Sequence, residues 1–227
     1  MNWSVRRIGS ISALNNADRY LEIGVNKGET FLNVQARFKD GVDPDFQFDT
    51  MAFATPGIRF FTQTSDQFWI SGEPGLYDII FIDGMHTFEQ TLRDFIASIR
   101  HSHRRTVWII DDTLPSDVFS SLRDKEHSFR ERRQHGLGGL PWHGDVYKVV
   151  LMIHDFFPGF SYRTIIDSGN PQTIVWQSPR KAFQPKLNSL EAISRLTYFD
   201  IQSNANLFNL TDEEASLRNL SSDLAGT

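Results

Sequence analysis

The 227-residue chain carries a formal net charge of −5 at a sequence pI near 5.8, and 40% of it is hydrophobic, with 19 Phe and no Cys. That apolar content is ample for one α/β domain with additions. The lack of cysteine excludes disulfides, thiolate zinc sites and cysteine nucleophiles, and an acidic balance without a long basic tract argues against a nucleic-acid partner.

The N-terminus MNWSVRRIGS has no apolar stretch of the signal-peptide kind, and apolar runs such as VVLMI at 149–153 fall short of the ~20 residues that span a bilayer. A cytoplasmic protein with no membrane partner is expected. Residues 1–19 read as a lead-in with a short helix near Ile11–Ala17. Tyr20–Gly28, YLEIGVNKG, then predicts an apolar strand, a glycine-bearing loop and a helix from about Glu29. Gly24 and Gly28 let backbone approach a ligand where a Cβ would collide. Phe31, Val34 and Phe38 recur at helical spacing and predict a helix over Thr30–Phe38. A second strand ends at Asp43, stopped by Pro44, and a polar helix is expected around Phe48–Ala54. Ile58–Thr62 is a third strand. Thr64-Ser65-Asp66 follows it at the edge where α/β sheets bind ligands, though Ser65 or Asp66 could equally cap a helix starting at Gln67.

YDIIFID over Tyr77–Asp83 and TVWIIDD over Thr106–Asp112 are apolar runs closed by acids, as expected of parallel strands covered on both faces. Between them 87–100 predicts an amphipathic helix, with Thr87 and Gln90 as a capping box. Residues 117–145 mix charges and end in glycines, which reads as an exposed helix and loop or as a lid over the ligand edge. Val149–Phe157 reads as a buried helix. Tyr162–Asp167 and Gln172–Gln177 flank Ser168-Gly169-Asn170-Pro171, a hairpin signal. The expected fold is therefore α/β, a Rossmann-like doubly wound seven-stranded sheet, mostly parallel, with an antiparallel hairpin near its end. Residues 1–178 would form that domain. Residues 179–227 would form a helical extension packed on it or on a second subunit, which makes a homo-oligomer one expectation.

Glu22-Ile23-Gly24-Val25-Asn26-Lys27-Gly28 resembles the first motif of class I S-adenosylmethionine-dependent methyltransferases. The resemblance implies that this loop passes beneath the methionine part of the cofactor and that Asp43, nineteen positions after Gly24, holds the ribose. A carboxylate suits that role because it accepts two hydrogen bonds from vicinal hydroxyls. It implies cofactor contacts from Glu22, Gly24, Asn26, Lys27, Gly28 and Asp43. Ser65 and Asp66 would lie near the adenine, and Asp83 and Gly84 would complete the set. The antiparallel hairpin closing a parallel sheet belongs to the same resemblance.

Asp83, Asp111 and Asp112 end two adjacent predicted strands and would repel unless a cation, a proton or a donor intervenes. They resemble the divalent-metal site of catechol-type and macrocin-type O-methyltransferases, which implies Mg²⁺ held by these three acids. The catechol type carries Asp-Asn where this chain has Asp111-Asp112. A quieter reading has Asp83 meeting cofactor or substrate and Asp112 capping the next segment. His86 is the natural general base, working beside Asp83. His143, within Trp142–Lys148, stands in reserve. His101 and His103 read as cations compensating a helix end. The implied activity is O-methylation of a small-molecule or sugar hydroxyl. Its rivals are a non-catalytic binding protein and an NAD-type Rossmann-like protein, although the latter needs a glycine where Asn26 stands.

Overall fold

Successive residues of each parallel strand turn to opposite faces, and this alternation builds the molecule. The computed structural model describes residues 2–71, 75–139 and 141–226. The strands are β1 (Arg19–Ile23), β2 (Phe38–Asp43), β3 (Ile58–Thr62), β4 (Tyr77–Ile82), β5 (Ser102–Ile110), β6 (Phe160–Ile165), β7 (Gln172–Gln177) and β8 (Leu210–Thr211). The helices are α1 (Trp3–Asn15), α2 (Ser65–Ile70), α3 (Phe88–Ile99), α4 (Lys125–Gln134), α5 (Tyr147–Phe156), α6 (Leu190–Arg195), α7 (Asp200–Ser203) and α8 (Glu213–Ala225). All strands join one sheet in the order β3-β2-β1-β4-β5-β7-β6-β8. β1 to β5 are parallel, and β7 runs antiparallel to both β5 and β6. The seven expected strands are present in the Rossmann-like arrangement. β8 adds two residues at the edge, parallel to β6.

Ile80, Ile82, Trp108 and Ile110 pack on α3 and α5, whereas Ile79, Phe81, Val107 and Ile109 pack on α1 and α8. Burying each of the Ile, Val and Phe side chains among them contributes ~1.5–3 kcal/mol. A one-residue register slip would exchange the two faces of a strand, so two filled cores fix which residues end each strand.

Several local expectations change. No helix forms over Thr30–Phe38; the segment is a run of turns leading into β2. The cause lies outside the segment: the buried Lys39 ammonium donates to the carbonyls of Phe31 (2.8 Å) and Val34 (3.0 Å), which a continuing helix would have used. The lead-in helix is longer than Ile11–Ala17 and stops where Asn16 turns left-handed, φ 52°. The helix around Phe48–Ala54 shrinks to one 3₁₀ turn, Thr50–Ala52. α2 is capped by Thr64, not by Ser65 or Asp66, in a reciprocal box with Gln67. Thr87 makes no side-chain cap; the Phe88 N–H donates instead to Asp145 Oδ1 at 2.8 Å. The tail is pinned to α5, because Asp155 accepts the backbone N–H groups of Lys186, Leu187 and Asn188 at 3.0, 2.6 and 2.7 Å.

Candidate functional site

Register brings the predicted residues to one edge. Ile23 pairs with Val42 on one side and Ile82 on the other, and Ile82 pairs with Ile110. The next residue of each strand or loop, Gly24, Asp43, Asp83 and Asp111, therefore emerges at the same carboxyl edge, where open α/β sheets hold ligands. A cavity of about 740 Å³ lies there, within the range of small-molecule sites.

One half is built by the loop after β1. Gly24 has φ +90°, and a Cβ on it would sit 2.0 Å from the Asp83 carbonyl oxygen. Only glycine permits this approach of loop to β4. Asn26 is also left-handed, φ 48°, and its N–H donates to Asp43 Oδ2 at 2.7 Å, while the Asp45 N–H donates to Oδ1 at 2.8 Å. Asp43 thus fixes the loop through Oδ2 and its own turn through Oδ1, and each oxygen keeps acceptor capacity for a ligand. Gly24, Asn26 and Asp43 line the cavity, and so do Ser65 and Asp66 from α2. Gln90 donates to Ser65 Oγ (3.0 Å) and Asp66 Oδ1 (3.2 Å). Glu22, Lys27 and Gly28 are not on the wall. Glu22 lies buried beneath the loop, bonded by the Tyr20 hydroxyl at 2.5 Å. Burial pushes its carboxyl up to about 8.

The other half is an acid cluster with its donors in place. Asp83, Gly84, His86, Asp111 and Asp112 all line the cavity. His86 Nδ1 lies 2.8 Å from Asp112 Oδ2 and 2.9 Å from the Trp142 carbonyl oxygen, and Nε2 lies 3.6 Å from Asp83 Oδ1. Its ring stacks on the Trp142 indole, centroids 4.5 Å apart. Two acceptors at Nδ1 assign the proton there, leaving Nε2 as the acceptor nitrogen. Asn170 Nδ2 lies 2.6 Å from Asp111 Oδ1 and 2.6 Å from Asp112 Oδ1. His143 is buried behind, 3.8 Å from Asp112 and 3.0 Å from Asn170 Oδ1. Asp112 has φ +59°, an uncommon conformation for a non-glycine residue that concentrates at functional sites.

These contacts divide the charge. Burial, then Asp111 and Asp112, push Asp83 well above the usual carboxylate range. Burial and the neighbouring Asp112 raise Asp111 to about 7. Burial opposes ionisation of Asp112, but the His86 hydrogen bond and charge outweigh it and hold Asp112 low. Burial likewise opposes protonation of His86, and Asp112 outweighs it, so the imidazole sits above its ordinary value. Asp83, His86 and Asp112 each present a ligand atom within 4.8 Å of the others. Asp111 is engaged elsewhere, by Asn170 and by the Asp112 N–H at 2.8 Å.

Sequence reasoning missed Asn170, Gln90, Lys125 as a cavity residue and the Trp142–His86 stack. Asn170 stood in a motif read only as a turn; the other contacts bridge distant segments and leave no local signal.

Residues 21–113 match the family model described as a methyltransferase domain. Solved structures of similar fold include a candidate caffeoyl-CoA O-methyltransferase from Staphylococcus aureus, 14% identical at TM-score 0.54, covering 78% of this chain and 84% of that one. An O-methyltransferase from Bacillus cereus in complex with S-adenosylhomocysteine is 14% identical at TM-score 0.52, covering 78% and 82%. The O-methyltransferase TomG from Streptomyces achromogenes, involved in tomaymycin synthesis and solved with S-adenosylmethionine, is 11% identical at TM-score 0.51, covering 75% and 78%. No curated protein matches the sequence.

Proposed function

From a chain that carries a methyltransferase domain on the class I methyltransferase fold, we propose an S-adenosylmethionine-dependent methyltransferase acting on a hydroxyl oxygen of a small molecule or sugar. The observation that carries this reading is the Asp112–His86 pair, with an acceptor nitrogen turned to a cavity whose opposite end is the Gly24–Asp43 cradle.

The cradle fits the cofactor. Gly24 brings the loop against the Asp83 backbone, where no Cβ would fit, and the free lone pairs of Asp43 suit the ribose hydroxyls. Ser65 and Asp66, which line the same cavity, would meet the cofactor's base, and Gly84 and Asp83 would meet its reactive end. Gly28 shapes the loop, since a Cβ there would meet Leu32 and Phe48, and Glu22 supports it from beneath through the Tyr20 hydroxyl. Bound there, the cofactor supplies an electrophilic sulfonium methyl, so the protein's task is mainly placement and proton removal. Asp112 orients the His86 ring and stabilises its cationic form. His86 Nε2 would take the proton of the acceptor hydroxyl, whose oxygen would receive the methyl group as the methyl–sulfur bond breaks and S-adenosylhomocysteine leaves. Trp142 keeps the imidazole flat against the wall. His143 holds Asn170 and stays out of the proton path.

A second reading rests on the close approach of Asp83, His86 and Asp112. These three would hold a divalent cation, which would lower the pKa of the acceptor hydroxyl. Two carboxylates and an imidazole suit Mn²⁺ or another metal tolerant of nitrogen better than Mg²⁺, which favours all-oxygen sets such as Asp83, Asp111 and Asp112. The readings are exclusive at His86, since a ligating Nε2 cannot accept a proton. Calorimetric titration with S-adenosylmethionine tests the main reading, with micromolar binding expected and none for NAD. Tight NAD binding would overturn it. Activity that survives a strong chelator selects the His86 base; activity restored only by added metal selects the cation.

A further inference from the structure

The turn that carries Asn170 is gripped from behind by both ends of the chain. Arg7, on α1, is fully buried. Its Nη2 donates to the Ser168 carbonyl oxygen at 2.7 Å and lies 3.1 Å from Ser168 Oγ, and its Nη1 donates to Gln172 Oε1. One guanidinium thus holds the residues two positions before and two positions after Asn170. Glu213, the first residue of α8, accepts on Oε2 from Arg7 Nε (3.2 Å), Arg6 Nη2 (2.6 Å) and Ser168 Oγ (2.8 Å). Its N–H donates to Asp167 Oδ1 at 3.0 Å. Between them Gly169, φ +70°, presses on α1 so closely that a Cβ would fall 2.5 Å from Trp3.

A buried ion pair is a poor way to gain stability, because two desolvated charges offset much of their attraction and apolar replacements often do better. A planar five-donor fork is, however, a good way to fix geometry. The geometry fixed here matters at the other side of the turn, where the Asn170 amide spans the two adjacent carboxylates Asp111 and Asp112. Those carboxylates repel at contact distance unless donors stand between them, and Asp112 orients His86.

We propose that Arg7 and Glu213 are positioning residues that, through the 168–172 turn, hold the Asn170 amide against the Asp111–Asp112 pair, so that the helices α1 and α8 complete the acceptor half of the cavity. Only the catalytic consequence of this proposal rests on the proposed methyl transfer. The juxtaposition itself is testable without activity.

The test is ¹⁵N NMR of the Asn170 side-chain amide, assigned by its disappearance in Asn170→Asp. The intact chain should show two well-separated amide protons that exchange slowly. In Glu213→Gln and in Ser168→Ala their shifts should move together and exchange should accelerate at least tenfold. Backbone amides of β1 and β4 and the affinity for S-adenosylhomocysteine should stay unchanged. With an acceptor in hand, kcat should fall while the cofactor dissociation constant holds. Glu213→Gln added to Asn170→Ala should lower kcat no further than Asn170→Ala alone, since non-additivity marks residues that act through one another. Asn170 amide signals unmoved in both folded variants overturn the proposal. Should Glu213→Gln fail to fold, Ser168→Ala, which removes a single oxygen, decides the matter alone. Absence of any S-adenosylhomocysteine binding would sink the methyltransferase reading and leave the amide measurement still decisive here.

Discussion

The two halves of the cavity are built on opposite plans. The Gly24–Asp43 half is made by a strand end, a left-handed loop and the next strand's terminal acid, whose carboxylate accepts the backbone N–H groups of Asn26 and Asp45 at 2.7 and 2.8 Å. The Asp112–His86 half is assembled from four separate stretches: the ends of β4 and β5, the Trp142 loop and the 168–171 turn. A local construction holds its shape through backbone geometry, and glycine is its fixed point. A dispersed one holds its shape through side-chain donors shared between carboxylates, and its fixed points are charges. The first half should therefore fail by losing affinity or fold, and the second by losing rate.

The largest effect is expected at the foundation of the local half. Burial raises Glu22 from an ordinary 4.5 to about 8. A raised folded-state pKa means that the folded chain binds a proton the unfolded chain has released. That stability is complete below about pH 4.5 and is lost as pH rises through about 8. Glu22→Gln keeps an acceptor for the Tyr20 hydroxyl and removes the ionisation. At pH 9 the variant should be more stable than the parent by up to ~5 kcal/mol. Urea denaturation at pH 5 and pH 9 checks this, and an unchanged pH slope in the variant would show that Glu22 stays ionised in the fold.

Next comes the dispersed half. His86→Ala should lower kcat by ~10²–10⁴-fold, the usual contribution of a positioned general base. Affinity for S-adenosylhomocysteine should stay within about twofold, because the cradle is separately built. A parallel loss of cofactor binding would mean that the two halves are not independent. Asp43→Ala should show the reverse: a ~10–100-fold weaker cofactor, from lost charge-assisted hydrogen bonds, with a much smaller change in kcat at saturation. Calorimetry and initial rates on the two variants together make the comparison quantitative.

What the sequence revealed follows the same division. Glycine spacing, an acid closing each apolar run and the two-residue alternation of strands are local signals. From them the parallel strands, Asp43, Asp83 and the Asp111-Asp112 pair were all legible, and so was His86, three residues beyond Asp83. Long-range side chains were not. The 30–38 segment has the spacing of a helix, yet the Lys39 ammonium takes its carbonyls. Asn170 has the look of a turn residue, and its role appears only once Arg7 and Glu213, at the two ends of the chain, are seen to hold that turn. A three-acid cluster in sequence calls for a cation; folded, it already contains an imidazole and an amide.

The smallest effect is the finest test of that last point. Burial lowers the His86 imidazole, but the hydrogen bond and charge of Asp112 outweigh it and set it above the ordinary 6.5. Transfer by His86 needs the neutral ring, so kcat/KM should rise with pH along a limb whose midpoint lies above 6.5. Asp111, raised to about 7, titrates nearby, so the rate profile alone does not assign the limb. The His86 ring C–H resonance does, and its midpoint should coincide with that of the rate. In Asp112→Asn the charge that raises the imidazole is gone while its burial remains, so both midpoints should fall together. A rate limb that stays in place while the imidazole resonance moves would remove His86 from the proton path.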